Sequence, residues 1–311
     1  MRIIGQSDVA SLRIGLADAV AALEAAFLAG RRGEIDWKPK STISRPDGAF
    51  LIAAHAAWPA RNLGLFHSIM GVSPANVPPG APHYATVQLL SDYAKGAPLG
   101  MIDGTWTSTI LPAAVTAIAA RRLARPDSAV ASFVGAGAQA RVNLEALRPI
   151  FPLREVRVLS RTARSAQAFA DHAAGCGLRA RVCDDPRAAL DGADIVVSSV
   201  PGSAGLQPFL DPDWVPEGAF VSAVDVGRSW RPGFHRFDRL VTDDRAQAVA
   251  QYADGRLPHA GPYDTEIAEL LNGARPGRTR PSERIALIHP GNVVGVFALS
   301  VLIWGRATGG G

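Results

Sequence analysis

Residues 129–141, AVASFVGAGAQAR, constrain this chain more than any other stretch. An apolar run feeds a glycine turn, and the turn opens into a helical pattern. Gly135, Gly137 and Ala140 fill a G-x-G-x-x-A spacing. The first glycine permits a tight turn. The second leaves the backbone bare where a pyrophosphate would approach, and the small Ala140 lets the helix pack closely on the strand. The helix opening at Ala138 and Gln139 offers free N–H groups and a positive dipole end to phosphates. Alone, the same spacing also fits a strand–helix turn that binds nothing.

The following residues continue the pattern. Residues 156–160 are β-rich, 162–174 are Ala-rich and helical, 178–182 alternate, and 193–200 (ADIVVSSV) suit a buried parallel strand. Strands alternating with helices predict an α/β fold with a doubly wound, Rossmann-type sheet. Such a site for NAD places a carboxylate about 20 residues past the glycines, on the ribose 2′-hydroxyl. Here the second strand ends in Ser160, Arg161 and Thr162, with Arg164 beyond, and no carboxylate is present. Arg161 suits a 2′-phosphate, so the cofactor expected is NADP, with NAD as the alternative. Val200 and Pro201 close a parallel strand at the end where ligands gather.

The rest of the chain reads differently. Ser7 is placed to cap a helix running to about Leu28, with Gly30 past its end. Residues 37–44, 50–57, 63–72, 84–91 and 99–102 read as strands of an antiparallel sheet. Asp103-Gly104 leads into a helix over 109–124, with Pro112 in its first turn, and Pro126-Asp127 marks a domain boundary. Residues 219–224 and 239–242 read as the last strands of the parallel sheet. Residues 284–288 read as a further strand. Residues 291–304 form an apolar helix, expected between domains or at a subunit interface.

Composition excludes several classes. The basic residues are scattered without a stripe, and the lysines are Lys38, Lys40 and Lys95 alone, so nucleic acid is not an expected partner. Cys176 and Cys183 lack metal-ligand companions and fit a reducing compartment. No HExxH or Ser–His–Asp spacing appears, and no metal is expected. The N-terminal apolar run is too short for a signal peptide, and 293–304 is too short for a membrane span. A cytoplasmic protein without membrane contact is expected.

Taken in order, Asp103-Gly104, the helix 113–124, the segment from Val134 to Ala140 (VGAGAQA), Ser160-Arg161-Thr162, Glu266-Ile267-Ala268-Glu269-Leu270, Gly273 and Arg278 resemble segments of the ornithine cyclodeaminase/μ-crystallin family, as does the Pro74/Asn76 loop. The resemblance covers nearly the whole chain. It implies a homodimer in which 126–284 binds NAD(P), while 1–125 with 285–311 forms a substrate-binding and dimerisation domain. It also implies an NADP-dependent oxidoreductase of a small imino acid, ketimine, 2-oxo acid or amino acid. The alternatives are an ornithine cyclodeaminase recycling NAD, and a non-catalytic, crystallin-like binder of NADP or a small ligand.

Departures from the family pattern fall on the substrate side. The family holds a substrate carboxylate with an arginine, a lysine and a second arginine. This chain has Lys40, His67 and Leu111 against them. Asp225 matches the catalytic aspartate, in a turn shortened by one residue. A second aspartate falls at Gly295 or Val296 and is lost. Asp225 would favour a protonated imine, and Lys40 or His67 would hold an anionic group or act as an acid. Equally, Asp225 could cap a turn, Lys40 be solvated, and His67 be a core histidine. Asn76 reads as a turn residue, and His55 and His83 as structural.

Overall fold

In the computed structural model, which describes residues 1–73, 76–77, 84–202 and 205–309, Met1–Leu111 and Asn292–Gly311 build one unit and Pro112–Gly291 builds a second. The first unit begins with β1 (Arg2–Ile4), α1 (Gln6–Ser11) and α2 (Leu16–Arg31). The single helix expected from Ser7 is thus two. The chain breaks where Arg13 takes φ +50°. Each helix starts after a glycine whose N–H donates to an aspartate three residues on: Gly5 to Asp8 at 2.8 Å and Gly15 to Asp18 at 3.1 Å. Ser7 lies inside α1 and Gly30 inside α2.

Strands β2 (Asp36–Trp37), β3 (Ser41–Ser44), β4 (Phe50–Trp58), β5 (Leu63–Gly71), β6 (Tyr84–Asp92) and β7 (Pro98–Asp103) complete the first sheet. Its order is β1-β7-β6-β5-β4-β2, with β3 also on β4. Every pairing is antiparallel except β1 with β7. Side chains alternate between its faces. Ile4, Ile102, Gln88, His67 and Ala54 are successive cross-strand neighbours, and all are buried. Phe66 and Met70, on the other face, are exposed. The last helix, α9 (Val293–Thr308), packs on α2 and β4. Asn292 caps it, accepting from the Val294 and Gly295 N–H groups, and Gly309 ends it in the left-handed conformation.

Helix α3 (Thr105–Leu123) carries the chain into the second unit. The Asp103 carboxylate accepts the Thr105 N–H at 2.9 Å, and Ser108 N–H donates to the Gly104 carbonyl. The helix therefore starts four residues earlier than its periodicity suggests, and Pro112 lies in its interior, not its first turn. The units divide at this proline.

The second sheet comprises β8 (Val130–Val134), β9 (Glu155–Leu159), β10 (Arg179–Cys183), β11 (Ile195–Ser198), β12 (Phe220–Ala223), β13 (Arg239–Thr242), β14 (Thr265–Glu266) and β15 (Ile285–Ile288). Helices α4 (Ala138–Leu147), α5 (Ala163–Gly175), α6 (Pro186–Leu190), α7 (Arg245–Ala253) and α8 (Ile267–Leu271) lie between them in sequence. All pairings are parallel, in the order β10-β9-β8-β11-β12-β15-β13-β14. This is the doubly wound, Rossmann-type α/β fold. Strands β11, β12 and β15 are buried along their whole length, as expected for a sheet covered on both faces. Strand β15 pairs with both β12 and β13. Residues 285–288 therefore belong to this sheet and not to the first domain, and the boundaries move from 125 and 285 to 111 and 292.

Candidate active site

Winding reverses between β8 and β11, and the carboxyl ends of those strands form the crevice where open α/β sheets bind ligands. Gly135 follows β8 with φ +101°. A Cβ there would lie 2.9 Å from the Ser199 carbonyl oxygen, so only glycine fits. Gly137 caps α4, and among the described residues nothing beyond its chain neighbours lies within 4 Å of where its Cβ would project. Ala138 and Gln139 form the first turn of α4, whose N–H groups have no acceptor within the helix. Ala140 is fully buried. The Ser199 hydroxyl is buried beside Gly135 and has no hydrogen-bond partner among the described residues. Bare backbone, the N–H groups of a helix start and an orphan hydroxyl at one edge fit a phosphorylated ligand. Val200 and Pro201 continue from β11 at that edge and are at least partly exposed.

Ser160 follows β9, and Arg161 and Arg164 are exposed beyond it. The Thr162 hydroxyl caps α5, accepting the Ser165 N–H at 3.2 Å. That hydroxyl is therefore committed to the helix.

Asp225 lies past β12, also at the carboxyl edge. Its carboxylate turns inward. One oxygen accepts from the Ser198 hydroxyl at 2.9 Å and the Gly227 N–H at 3.1 Å. The other accepts from Ser229. Trp230 Nε1 donates to Ser198 behind it at 2.9 Å. The residue is 4% exposed. Burial raises its pKa against the opposing hydrogen bonds from Ser229, Ser198 and Gly227 and the charge of Arg228. The shortened turn puts Val226 at φ +54°, a costly conformation for a β-branched residue. In this geometry the carboxylate ties the turn together, which is the turn-capping role left open for it. An Asp225→Ala variant leaves three donors without an acceptor and is expected to lose about 3 kcal/mol or more. Asp225→Asn keeps one oxygen, and its amide donates to the Ser229 hydroxyl, so the loss is expected to stay under about 1 kcal/mol in urea unfolding. Equal losses would contradict this network.

Arg228 was missed as a candidate in its own right. It is exposed, and its guanidinium lies across Gly202, where a Cβ would sit 2.7 Å from Nη1. A cation directly after the D-x-G turn is the signal that could have found it.

In the first unit, Lys40 is half-buried just before β3. His67, on β5, is 2% exposed. Burial, then the charge of Lys40, pushes its pKa down to about 3, with the Val87 backbone opposing. Burial therefore favours the neutral imidazole, in keeping with the core-histidine alternative. Leu111 is buried, and a Cβ on Gly295 would lie 2.7 Å from Leu111 Cδ1. The two departures are one contact: the leucine fills the space that Gly295 vacates. Val296 is buried beside them in sequence. Asn76 is an exposed turn residue, its N–H donating to the Ser73 carbonyl, and His55 is exposed. Pro74 and His83 lie outside the described residues.

The family model for ornithine cyclodeaminase/mu-crystallin matches residues 2–300. The chain belongs to this family. Similar proteins include a putative dehydrogenase of Rhizobium meliloti, 34% identical over 225 residues, 67% of this chain and 65% of that protein. An alanine dehydrogenase of Archaeoglobus fulgidus is 27% identical over 319 residues, 98% of this chain and 94% of that protein. The Mus musculus ketimine reductase mu-crystallin is 34% identical over 198 residues, 62% of this chain and 61% of that protein. The first and third matches thus span less than two thirds of the relatives' own length. Among solved structures, a Thermococcus litoralis Δ1-pyrroline-2-carboxylate reductase in complex with NADH and L-proline superposes with TM-score 0.87 at 22% identity, over 99% of this chain and 98% of that one. An archaeal alanine dehydrogenase dimer with bound NAD gives TM-score 0.86 at 25% identity, over 99% of this chain and 96% of that one.

Proposed function

We propose that this chain is an NADP-dependent oxidoreductase acting on a small imino acid, ketimine or 2-oxo acid, or on the matching amino acid. The observation that carries the reading is the end of β9. Arg161 and Arg164 stand exposed at the start of α5, and no carboxylate follows Leu159. Two cations at a helix N-terminus oppose the helix dipole and gain most from an added dianion such as a 2′-phosphate. The family's relatives support the wider class, since their names include dehydrogenases and reductases of amino and imino acids.

Bound nicotinamide supplies or accepts the hydride. The chain's own contribution is placement. Gly135, Gly137 and the first turn of α4, with Ala138 and Gln139, take the pyrophosphate, and Val200 and Pro201 border it. Ser160, Arg161 and Arg164 take the ribose phosphate. Asp225 is a positioning residue that fixes the turn after β12. Lys40 is the cationic group of the first unit for an anionic substrate. A homodimer and a cytoplasmic setting belong to the same proposal. No helix among the described residues is long and apolar enough to cross a membrane.

A second reading, a non-catalytic binder of NADP or a small ligand, is favoured by one observation. Leu111 against Gly295 is apolar packing at positions where the family pattern has charged groups. Turnover of any imine or 2-oxo acid with NADPH separates the two readings. For the cofactor, Arg161→Ala is expected to raise the NADPH dissociation constant about tenfold or more, with NADH changing less than about twofold. Equal weakening of both would remove Arg161 from phosphate recognition.

A further inference from the structure

The carboxyl edge of the second sheet holds a cation that the cofactor reading does not use. Arg228 follows the β12 turn, and Gly202 follows β11; both strands end at the ligand-binding edge. The Arg228 side chain passes over Gly202, with Nη1 2.7 Å, Cζ 3.4 Å and Cδ 3.8 Å from where a Cβ would stand. Any side chain at position 202 would displace it. The nearest carboxylate, Asp225, is filled by Ser198, Ser229 and Gly227, and forms no ion pair with Arg228 among the described residues. The guanidinium is exposed, yet enough protein surrounds it to lower its pKa, burial acting first and the Asp225 charge opposing.

The first unit makes this cation more pointed. Leu111 carries no charge and His67 is neutral, so of the three positions expected to hold a substrate carboxylate only Lys40 is cationic. We propose that Arg228 is the carboxylate-binding residue of the second unit, and that the substrate is an acid held through its carboxylate by the guanidinium fork. This rests on the oxidoreductase reading and deepens it. The planar fork suits two carboxylate oxygens at once, which an ammonium does not.

The test uses protein saturated with NADPH and titrated by calorimetry with 2-oxo acids of increasing chain length, each against its own uncharged amide. The wild type is expected to bind at least one acid about tenfold or more tighter than its amide. Arg228→Gln is expected to erase that preference while its NADPH dissociation constant stays within about twofold of the wild type. Arg228→Lys should restore only part of the preference, and an unchanged thermal midpoint confirms that both variants fold. Three results would overturn the proposal: no preference for acid over amide in the wild type, the full preference surviving in Arg228→Gln, or a variant that loses NADPH instead, which would place the guanidinium on a cofactor phosphate. Failure of the wild type to bind NADPH at all would count against the oxidoreductase reading itself, and is read separately before any acid is added.

Discussion

Gly135→Val is expected to abolish dinucleotide binding and to destabilise the second unit by about 2–5 kcal/mol. Two costs combine. The backbone sits at φ +101°, which a valine reaches only with strain. The new Cβ would also meet the Ser199 carbonyl oxygen at 2.9 Å, and that atom belongs to the backbone following β11 and cannot swing aside. Either the turn opens or β8 and β11 separate, and both remove the surface under the pyrophosphate. Gly137→Ala separates the two effects. Its φ is −85°, and nothing lies within 4 Å of the added methyl group. Stability should change by less than about 0.5 kcal/mol, while the methyl group stands where the pyrophosphate must come close. Urea unfolding and NADPH fluorescence titration of the two variants check this. A Gly135→Val protein of wild-type stability and affinity would show that the turn does not work as described.

The second large effect is acid lability. His67 in the first unit and His289 in the second are both buried, and burial pushes each pKa from 6.5 down to about 3. His289 lies 2.7 Å from the Ser222 hydroxyl, which lies 2.8 Å from Thr116 on α3. Both imidazoles are neutral in the folded chain. Below pH 6.5 the unfolded chain takes up protons that the folded chain refuses. The stabilisation is therefore complete above that pH and is lost as pH falls towards 3. Each histidine costs about 1.4 kcal/mol per pH unit once well below pH 6.5, so the pair costs nearly 3. Asp225 acts in the opposite sense: its raised pKa favours the protonated form, so its contribution is greatest in acid and lost as pH rises through its folded pKa. Two histidines outweigh one carboxylate between pH 6 and 4. Urea midpoints at pH 7.5, 6 and 5 should fall steeply, and His289→Gln should flatten part of the slope. Midpoints that do not move across this range would contradict the burial of neutral histidines.

The parts legible in the sequence were those set by local chemistry. The G-x-G-x-x-A turn, the alternation along β4, β5 and β6, and the Ala-rich helical run that becomes α5 depend on residues only a few positions apart. Helix starts were misread where an aspartate three residues inside, and not a serine before, satisfied the first N–H, as at Gly5 and Gly15. The place of β15 was not legible, because its partners β12 and β13 lie more than 40 residues back along the chain. The site was harder still. That Asp225 faces Ser198, that His67 sits on the inner face beside Gln88, and that Leu111 meets Gly295 are facts of packing between distant segments. The residue types can be read directly along the chain, and their surroundings cannot. Those surroundings decide whether a carboxylate holds a turn or moves a proton.

The central claim is that the second unit binds a nicotinamide dinucleotide and prefers the 2′-phosphate. Parallel fluorescence titrations of the purified wild type with NADPH and NADH test it most directly. Saturable binding of both is expected, with NADPH about tenfold or more tighter. NADH binding as tightly as NADPH, or neither nucleotide binding, would contradict it.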